Sequence, residues 1–367
     1  MNVVVDTTVY DAEPAGIGRY VRRLLDAYRC LFPDDSVTAL SRSGIDWPGI
    51  RGLPVLRSGA GAFERLAVEQ VNMPRLLRRL PYDIVHFADY RCPLLTPARA
   101  IITVHDLGMF RYPETVTSGQ RRLKQTFTRA SVRRAAHIIV PSESTKRDLM
   151  EWLDVPADRI TAVPHGVCPH RSPDYRGSSP AAAHPRPYFL FVGTLEPRKN
   201  LVRVVQALRL LYDRHADADV DLVVIGRQGW LYGEIFHEVE RLDLQPRVLF
   251  LGYVSDVERL EWYRGALGFC FPTLYEGFGL PILEAMAAGC PVITANQGAA
   301  AEVAEGAALL VDPTDIDVIC NALHQVMSDT ELRGRLRRLG AERAARYTWN
   351  RTAQETRSVY EKVLAGG

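Results

Sequence analysis

The sequence predicts an α/β protein made of two Rossmann-like, doubly wound domains with a cleft between them. Three observations lead to this prediction. The chain has 367 residues, more than a single domain usually holds. Short β-branched runs alternate with patterns of helical length, as in parallel sheets with crossover helices. The alternation stops once, at a stretch rich in Pro, Ser, Gly and Ala, and then restarts.

The break in the alternation sets the predicted domain limits. The N-terminal domain covers residues 1–172, a linker covers residues 173–187, and the C-terminal domain covers residues 188–351. A last helical pattern follows in residues 352–367; the pattern alone leaves its domain open, and we assign it to the N-terminal domain. The predicted strands are Val3–Val5, Tyr82–Phe87, Ile101–His105, His137–Val140, Tyr188–Val192, Asp221–Ile225, Val248–Leu251, Gly268–Phe271 and Pro291–Thr294.

Composition narrows the class of protein. Hydrophobic residues make up 47% and charged residues 24%, which is typical of a soluble globular protein. The six cysteines are scattered and form no C-x-x-C, so a disulfide framework and a zinc site are both disfavoured and a reducing cytoplasm is expected. The N-terminal run has no basic segment or long apolar core, and the chain has no apolar run long enough to span a bilayer.

The segment Tyr275–Gly289 (YEGFGLPILEAMAAG) carries the clearest functional signal. It follows a buried strand with a turn containing Gly277, Phe278, Gly279 and Leu280, where glycine permits close approach of a ligand. Pro281 is typical of a first helical turn and Gly289 of the position after a helix. The helix therefore starts at the turn and directs its amide donors there, which suits a diphosphate.

Two carboxylates accompany this turn. Glu276 lies in the turn itself, and Glu284 is expected in the first turn of the helix. A carboxylate beside a bound phosphate would repel it, so both are predicted to accept hydrogen bonds from hydroxyl groups. Glu276 suits a sugar hydroxyl and Glu284 suits a ribose diol.

A second phosphate-binding signal follows the first strand of the C-terminal domain. In the segment Phe191–Asn200 (FVGTLEPRKN), Gly193 is followed by the adjacent cations Arg198 and Lys199. Ligands of such sheets bind at the carboxyl ends of the strands, so these cations are predicted to meet phosphate oxygens. Their role would be to stabilise the charge that grows on a leaving diphosphate.

Glu276 and Glu284 match the E-x7-E motif, and with it the sequence resembles the retaining glycosyltransferases of family 4, which have the GT-B fold with a deep interdomain cleft. The resemblance covers nearly the whole chain. It implies that Arg198, Lys199, Glu276 and His105 are catalytic, with His105 at the donor sugar. It implies donor contacts from Gly16, Gly18, Gly193, Arg227, Tyr253, Val254, Gly277, Phe278, Gly279, Leu280 and Glu284. Asp106 and His165 are assigned to the acceptor side.

No metal and no other cofactor is expected. The acidic segment Asp217-x-Asp219-x-Asp221 comes before a strand, whereas the D-x-D of metal-dependent transferases comes after one, so it is interpreted as a polar turn. Two cations and a helix N-terminus already supply the positive charge that a diphosphate needs. The nucleoside diphosphate sugar is a co-substrate.

The charge is unevenly distributed. Residues 1–172 carry a net charge of +6 and residues 173–367 carry −4. The segment Gln120–Arg134 (QRRLKQTFTRASVRR) interleaves six cations with apolar residues, as a solvated helix face or as a helix lying on anionic lipid. Lipid contact would suit a polyprenyl-linked acceptor and a peripheral position on the inner face of the plasma membrane. No nucleic-acid-binding motif accompanies these cations.

The sequence therefore favours a retaining, metal-independent transfer of a sugar to a hydroxyl of a glycan or lipid-linked acceptor. Segments such as PSESTKRDL and GTLEPRKN resemble members that use GDP-mannose or related sugars in surface polysaccharide or lipopolysaccharide synthesis. Donors built on UDP, ADP and dTDP stay open. Two alternatives have the same architecture: a nucleotide-sugar 2-epimerase, and a sugar-nucleotide-binding protein without catalysis.

Overall fold

A computed structural model describes residues 1–9, 16–42, 47–56, 61–95, 99–115, 118–168, 181 and 184–366. The chain divides into two compact units. The first consists of Met1–Arg111, Thr117–Gly166 and Thr348–Gly367, and the second of Tyr112–Val116 and Val167–Tyr347. The change of unit at Val167 precedes the predicted linker, residues 173–187, most of which lies outside the described residues.

The first unit is built on a parallel sheet. Its strands, as far as the described residues show, follow the order β3-β2-β1-β4-β5-β6-β7. They are β1 Asn2–Asp6, β2 Ser36–Arg42, β3 Arg51–Leu56, β4 Ile84–Phe87, β5 Ala100–Thr103, β6 His137–Val140 and β7 Ile160–Ala162. The four residues of β4, β5 and β6 are all buried, as expected when helices cover both faces of a parallel sheet.

Helices connect and cover these strands. They are α1 Ile17–Leu31, α2 Ala62–Ala67, α3 Met73–Leu77, α4 Gly108–Arg111, α5 Ser118–Arg134, α6 Glu143–Leu153 and, from the end of the chain, α14 Trp349–Ala365, with a π-helical turn at Val68–Asn72. Ser142 caps α6 by accepting a hydrogen bond from the Thr145 backbone N–H at 3.1 Å, as the sequence predicts. On α14, Tyr360 is buried and its hydroxyl lies 2.7 Å from His86 Nδ1 on β4.

The second unit repeats the same plan. Its parallel sheet, within the described part of the chain, has the order β10-β9-β8-β11-β12-β13. The strands are β8 Tyr188–Val192, β9 Asp221–Ile225, β10 Val248–Gly252, β11 Gly268–Phe271, β12 Val292–Ala295 and β13 Leu309–Val311. The helices are α7 Leu201–Arg214, α8 Gly233–Arg241, α9 Asp256–Gly265, α10 Leu280–Ala287, α11 Gly298–Ala304, α12 Ile316–Ser328 and α13 Thr330–Ala344.

The strand order places β8 at the centre of the second sheet, between β9 and β11. Because parallel strands present their carboxyl ends at one edge, the segments that follow β8, β9, β10 and β11 meet there. This is where most of the residues singled out by the sequence lie. No helix among the described residues is both long enough and apolar enough to span a bilayer.

Candidate active site

The turn after β11 and the helix α10 have the expected local structure. Gly279 adopts a φ of 107°, a left-handed conformation that favours glycine, and α10 begins directly after it with Pro281 in its first turn. Gly289 has a φ of 75°, and the Cys290 backbone N–H donates to the Ala285 carbonyl at 2.9 Å. The glycines thus set the start and the end of this short helix.

The structure brings together Lys199, Arg198 and Glu276. The Lys199 ammonium forms an ion pair with Glu276 Oε1. Arg198 Nη1 donates to the Tyr275 carbonyl at 2.9 Å and lies 3.7 Å from Glu276 Oε2. Their side chains are only 10–14% exposed, so water screens these charges weakly. Two cations and a carboxylate therefore share the edge formed by β8 and β11.

Glu196 is a member of this cluster that sequence reasoning missed. Its side chain is 3% exposed and accepts hydrogen bonds from Arg198 Nε at 3.0 Å and Nη2 at 2.8 Å. The turn is also tied to the loop through the Arg198 carbonyl, which accepts from the Leu274 backbone N–H at 2.9 Å. The available signal was a carboxylate two residues before the arginine, in a segment already selected for its cations.

Glu284 lies further along α10 than expected. The prediction of a first-turn position was wrong: α10 starts at Leu280, which places Glu284 in the second turn, and its side chain is 12% exposed. Arg259 on α9 approaches it, with Nε 3.3 Å from Oε2 and Nη2 3.4 Å from Oε1. The Tyr263 hydroxyl donates to Oε2 at 3.4 Å. Neither Arg259 nor Tyr263 was selected from the sequence.

The ends of β8, β9 and β10 lie close together. The Gly193 N–H donates to the Ile225 carbonyl at 2.9 Å and the Gly226 N–H to the Gly252 carbonyl at 2.8 Å. Next to them, the Arg227 guanidinium lies 4.6 Å from the centroid of the Tyr253 ring. Tyr253 is 48% exposed, whereas Val254 is 7% exposed. Tyr253 therefore offers its ring to a ligand, and Val254 contributes to the core.

Phe278, Gly277 and Leu280 belong to the same turn but differ in burial. Phe278 is 5% exposed and its ring lies 5.9 Å from that of Tyr347. Gly277 is buried, and Leu280, the first residue of α10, is half-buried. These residues fix the shape of the turn.

In the first unit, His105 and His165 flank Tyr20. The His105 ring centroid lies 4.8 Å from that of Tyr20 and 5.4 Å from that of His165, and the Tyr20–His165 distance is 4.6 Å. His105 Nε2 lies 3.0 Å from the Ala88 carbonyl, so it carries the proton and donates to it. Asp106 Oδ1 accepts from the Gly108 backbone N–H at 2.9 Å, which orders the start of α4.

Burial holds both imidazoles in the neutral form. It lowers the pKa of His105, and it lowers the pKa of His165 well below the ordinary value, with the neighbouring His105 as a second cause. Neutral imidazoles can exchange hydrogen bonds with sugar hydroxyls but cannot act as fixed cations.

The glycines before α1 have different positions. Gly16 is the N-cap residue of α1 with a φ of 44°. Gly18 was predicted in a loop; it lies inside α1 and is buried among its residues. The segment between β1 and Gly16, residues 10–15, lies outside the described residues.

The acidic segment before β9 is engaged in ion pairs. Asp219 lies 2.9 Å from Arg247 Nη2 and 3.2 Å from Arg186 Nε. Asp221, the first residue of β9, lies 3.1 Å from His184 Nε2. These residues are at the amino end of β9, whereas Gly226 and Arg227 follow its carboxyl end.

Family models account for most of the chain. The model described as Glycosyl transferases group 1 matches residues 178–343, and the model described as Glycosyltransferase Family 4 matches residues 15–171. The O-antigen chain mannosyltransferase B of Escherichia coli is 32% identical over 72% of this chain and 70% of the relative.

Solved structures with the same fold cover the whole chain. Sucrose-phosphate synthase from Thermosynechococcus elongatus matches with a TM-score of 0.81 at 22% identity over 100% of both chains. Anabaena HepE, solved in complex with UDP-glucose, matches with a TM-score of 0.76 at 17% identity over 99% of this chain and 100% of that one. The two Rossmann-like units thus have the GT-B fold of glycosyltransferases. The chain belongs to the group 1 glycosyl transferases of glycosyltransferase family 4.

Proposed function

We propose that this glycosyltransferase transfers a hexose, with retention of anomeric configuration, from a nucleoside diphosphate sugar to a hydroxyl of a glycan or lipid-linked acceptor. The observation that carries the proposal is the cluster of Lys199, Arg198 and Glu276 beside the start of α10. It combines fixed positive charge with a hydroxyl-binding carboxylate at one edge of a sheet.

Lys199 and Arg198 stabilise the leaving diphosphate in this proposal. The bond between the anomeric carbon and the phosphate oxygen breaks while a bond to the acceptor oxygen forms on the same face of the sugar. The acceptor proton passes to the departing phosphate oxygen. Lys199 exchanges its ion pair with Glu276 for the phosphate, which frees that carboxylate to accept hydrogen bonds from the sugar. Glu284 accepts from the ribose, and no step requires a metal.

Mannose carried on GDP is the donor we favour. Mannosyltransferases recur among the relatives, including the E. coli O-antigen enzyme and the phosphatidyl-myo-inositol mannosyltransferase of Mycobacterium leprae. The proposed pathway is the synthesis of a surface polysaccharide such as O-antigen, at the cytoplasmic side of the membrane.

The test is nucleoside diphosphate release from a panel of GDP-, UDP-, ADP- and dTDP-sugars, with and without acceptor glycans and with EDTA present. We expect acceptor-dependent release that EDTA leaves unchanged, and an α-linked product from an α-linked donor. Lys199→Ala should lower the rate at least about a hundredfold, because it removes a charge that acts on the leaving group.

A matched control is Arg209→Ala, which removes an exposed cation on α7 that pairs with Asp213 within its own helix. It should leave the rate unchanged. Full activity of both Lys199→Ala and Glu284→Ala would overturn the site. Donor turnover that needs no acceptor would favour the epimerase.

We also propose that α5 binds an anionic membrane surface. Arg122, Arg129 and Arg133 are exposed on it, together with Leu123 at 57%. Arg134 Nε donates to the Leu94 carbonyl at 2.8 Å, which brings a loop with the exposed Leu94 and Leu95 next to the helix. Exposed leucines among arginines suit the boundary between lipid headgroups and acyl chains.

A further inference from the structure

We propose that Arg259 is a positioning residue for the donor nucleotide: it orients Glu284 for the ribose hydroxyls and thereby sets the preference for ribose over deoxyribose. This inference rests on the proposed function, because it assumes that Glu284 binds a nucleotide ribose. It assigns a role to a residue on a different helix, α9, that the E-x7-E segment does not contain.

Arg259 is fixed on α9 before any ligand arrives. Ser255 caps this helix by accepting from the Glu258 backbone N–H at 3.2 Å, which places Arg259 in the second turn. Arg259 Nη1 donates to Asp256 Oδ1 at 2.8 Å, one helical turn earlier. The residue is only 7% exposed. A guanidinium held in this way has little freedom to leave its position.

The guanidinium meets the Glu284 carboxylate side by side. Nε faces Oε2 at 3.3 Å and Nη2 faces Oε1 at 3.4 Å, so each nitrogen has its own oxygen. This two-point contact fixes the rotation of the carboxylate plane, which a single hydrogen bond would not do. The Tyr263 hydroxyl adds a contact to Oε2 at 3.4 Å from the next turn of the same helix.

The pair also satisfies an electrostatic requirement. Glu284 is 9% exposed as a residue, and a carboxylate at that depth needs a compensating charge. Arg259 supplies it from the side of α9. Without Arg259, Glu284 would lose both its counter-charge and its orientation, and a ribose would meet a carboxylate that points in several directions.

The role differs from catalysis because Arg259 acts through Glu284, at the ribose and away from the bond that breaks. An interaction with the ribose is the same in the bound donor and in the transition state. Its loss should therefore raise the donor KM and change kcat little.

The experiment compares nucleotide affinities by calorimetry. Among GDP, UDP and ADP, the nucleotide that binds the wild-type protein most tightly is measured as the ribo, 2′-deoxy and 3′-deoxy forms. We expect the wild type to prefer the ribo form. In Arg259→Leu the affinity for the ribo form should fall about tenfold, because the orientation of a charged acceptor is lost, while at least one deoxy form keeps its affinity. The ratio between them should shrink accordingly.

Two further variants separate positioning from loss of fold. Arg259→Lys keeps the charge without the two-point contact and should recover part of the ratio. Tyr263→Phe removes a single hydrogen bond and should reduce the ratio less than Arg259→Leu. The matched control is Arg264→Leu, on the same helix, which removes a 33% exposed arginine paired with Glu261 and should behave as wild type.

The outcomes are distinct. If the wild-type protein binds none of the nucleotides, the proposed function fails. If it binds them but does not distinguish ribo from deoxy forms, the ribose role of Glu284 and this inference both fail, while donor binding stands. If Arg259→Leu or, should that variant not fold, Arg259→Lys and Tyr263→Phe all keep the wild-type ratio and KM, the inference alone is overturned.

Discussion

Arg198 shows how a buried carboxylate can act on a catalytic site through a cation. Glu196 takes two of its N–H groups, and the Tyr275 carbonyl takes a third, so the guanidinium joins the loop after β8 to the turn after β11. Its position is therefore set by protein contacts before a diphosphate binds. Preorganised charge of this kind needs no rearrangement when the transition state forms.

Glu196→Gln is expected to lower kcat about tenfold, because a neutral amide holds the guanidinium less firmly than a carboxylate does. The measurement is the rate of nucleoside diphosphate release at saturating donor, with the fold checked by the thermal unfolding midpoint. Glu240→Gln, an exposed glutamate on α8, is the control and should match the wild type. Wild-type kcat in Glu196→Gln would show that Arg198 does not depend on Glu196.

Two buried histidines make the stability of the first unit depend on pH. Burial lowers the pKa of His86 to about 3 and that of His137 to about 4. In the unfolded chain a histidine has a pKa of about 6.5, so between that pH and the folded values the unfolded chain binds more protons. The free energy of unfolding should therefore fall as the pH drops below about 6.5.

The unfolding midpoint at a pH of about 7 and of about 5.5 measures this effect. His137→Gln, which keeps a partner for Thr161 without a titratable ring, should show a smaller drop than the wild type. His324→Gln, on α12 of the second unit, should keep the full drop. Equal pH dependence in all three proteins would contradict the assignment to His137.

At the scale of elements, the sequence was informative where burial is uniform. Strands β6, β8, β9 and β11 have the limits predicted from their apolar runs. Strands β2 and β3 were missed, because Ser36–Arg42 mixes polar with apolar residues and Arg51–Leu56 contains a proline. The capped helices and the glycine-bounded α10 were predictable for the same local reasons.

The candidate site was predictable only in part, because its contacts are of two kinds. Residues that follow strands could be placed at one sheet edge from the alternation alone. The pairing of Glu284 with Arg259 depends on how α9 packs against α10, which no local pattern encodes. The same holds for the neutral state of His105 and His165, since burial by distant residues causes it.

The junction of β8 and β9 has no room for a side chain at Gly226. A Cβ there would lie 1.8 Å from the Gly193 carbonyl oxygen, a backbone atom that cannot rotate away. We expect Gly226→Ala to separate the two strand ends, lower the unfolding midpoint and abolish nucleotide binding. Gly233→Ala is the control, because nothing lies within 4 Å of a Cβ at that position. A stable Gly226→Ala with normal affinity would contradict this account.

At the scale of the whole molecule, the charges of the two halves have opposite sign, +6 for residues 1–172 and −4 for residues 173–367. An anionic surface would attract the first half and repel the second. The proposed membrane face on α5 thus lies on the half whose net charge favours such contact. Salt would weaken the attraction, because exposed charges are screened.

Flotation with anionic and zwitterionic vesicles tests this surface. The protein should float with anionic vesicles at low salt and should dissociate as salt is added. Replacing Arg122 and Arg133 by glutamate should abolish flotation. The same change at Arg335 and Arg338, exposed on α13 in the second unit, alters the net charge equally and should leave flotation intact. Absence of a vesicle-bound fraction in the wild type at low salt would remove the proposal.

Helix α14 places a constraint on how the protein is made. Its Tyr360 reaches His86, and its Thr352 hydroxyl donates to the Pro164 carbonyl at 2.7 Å, so the core of the first unit includes residues synthesised after the second unit. On the ribosome, the N-terminal segments must wait, with Ile84–Phe87 and its neighbours partly uncovered, while some 180 residues of the second unit are translated. The first unit to be synthesised is thus the last to be completed.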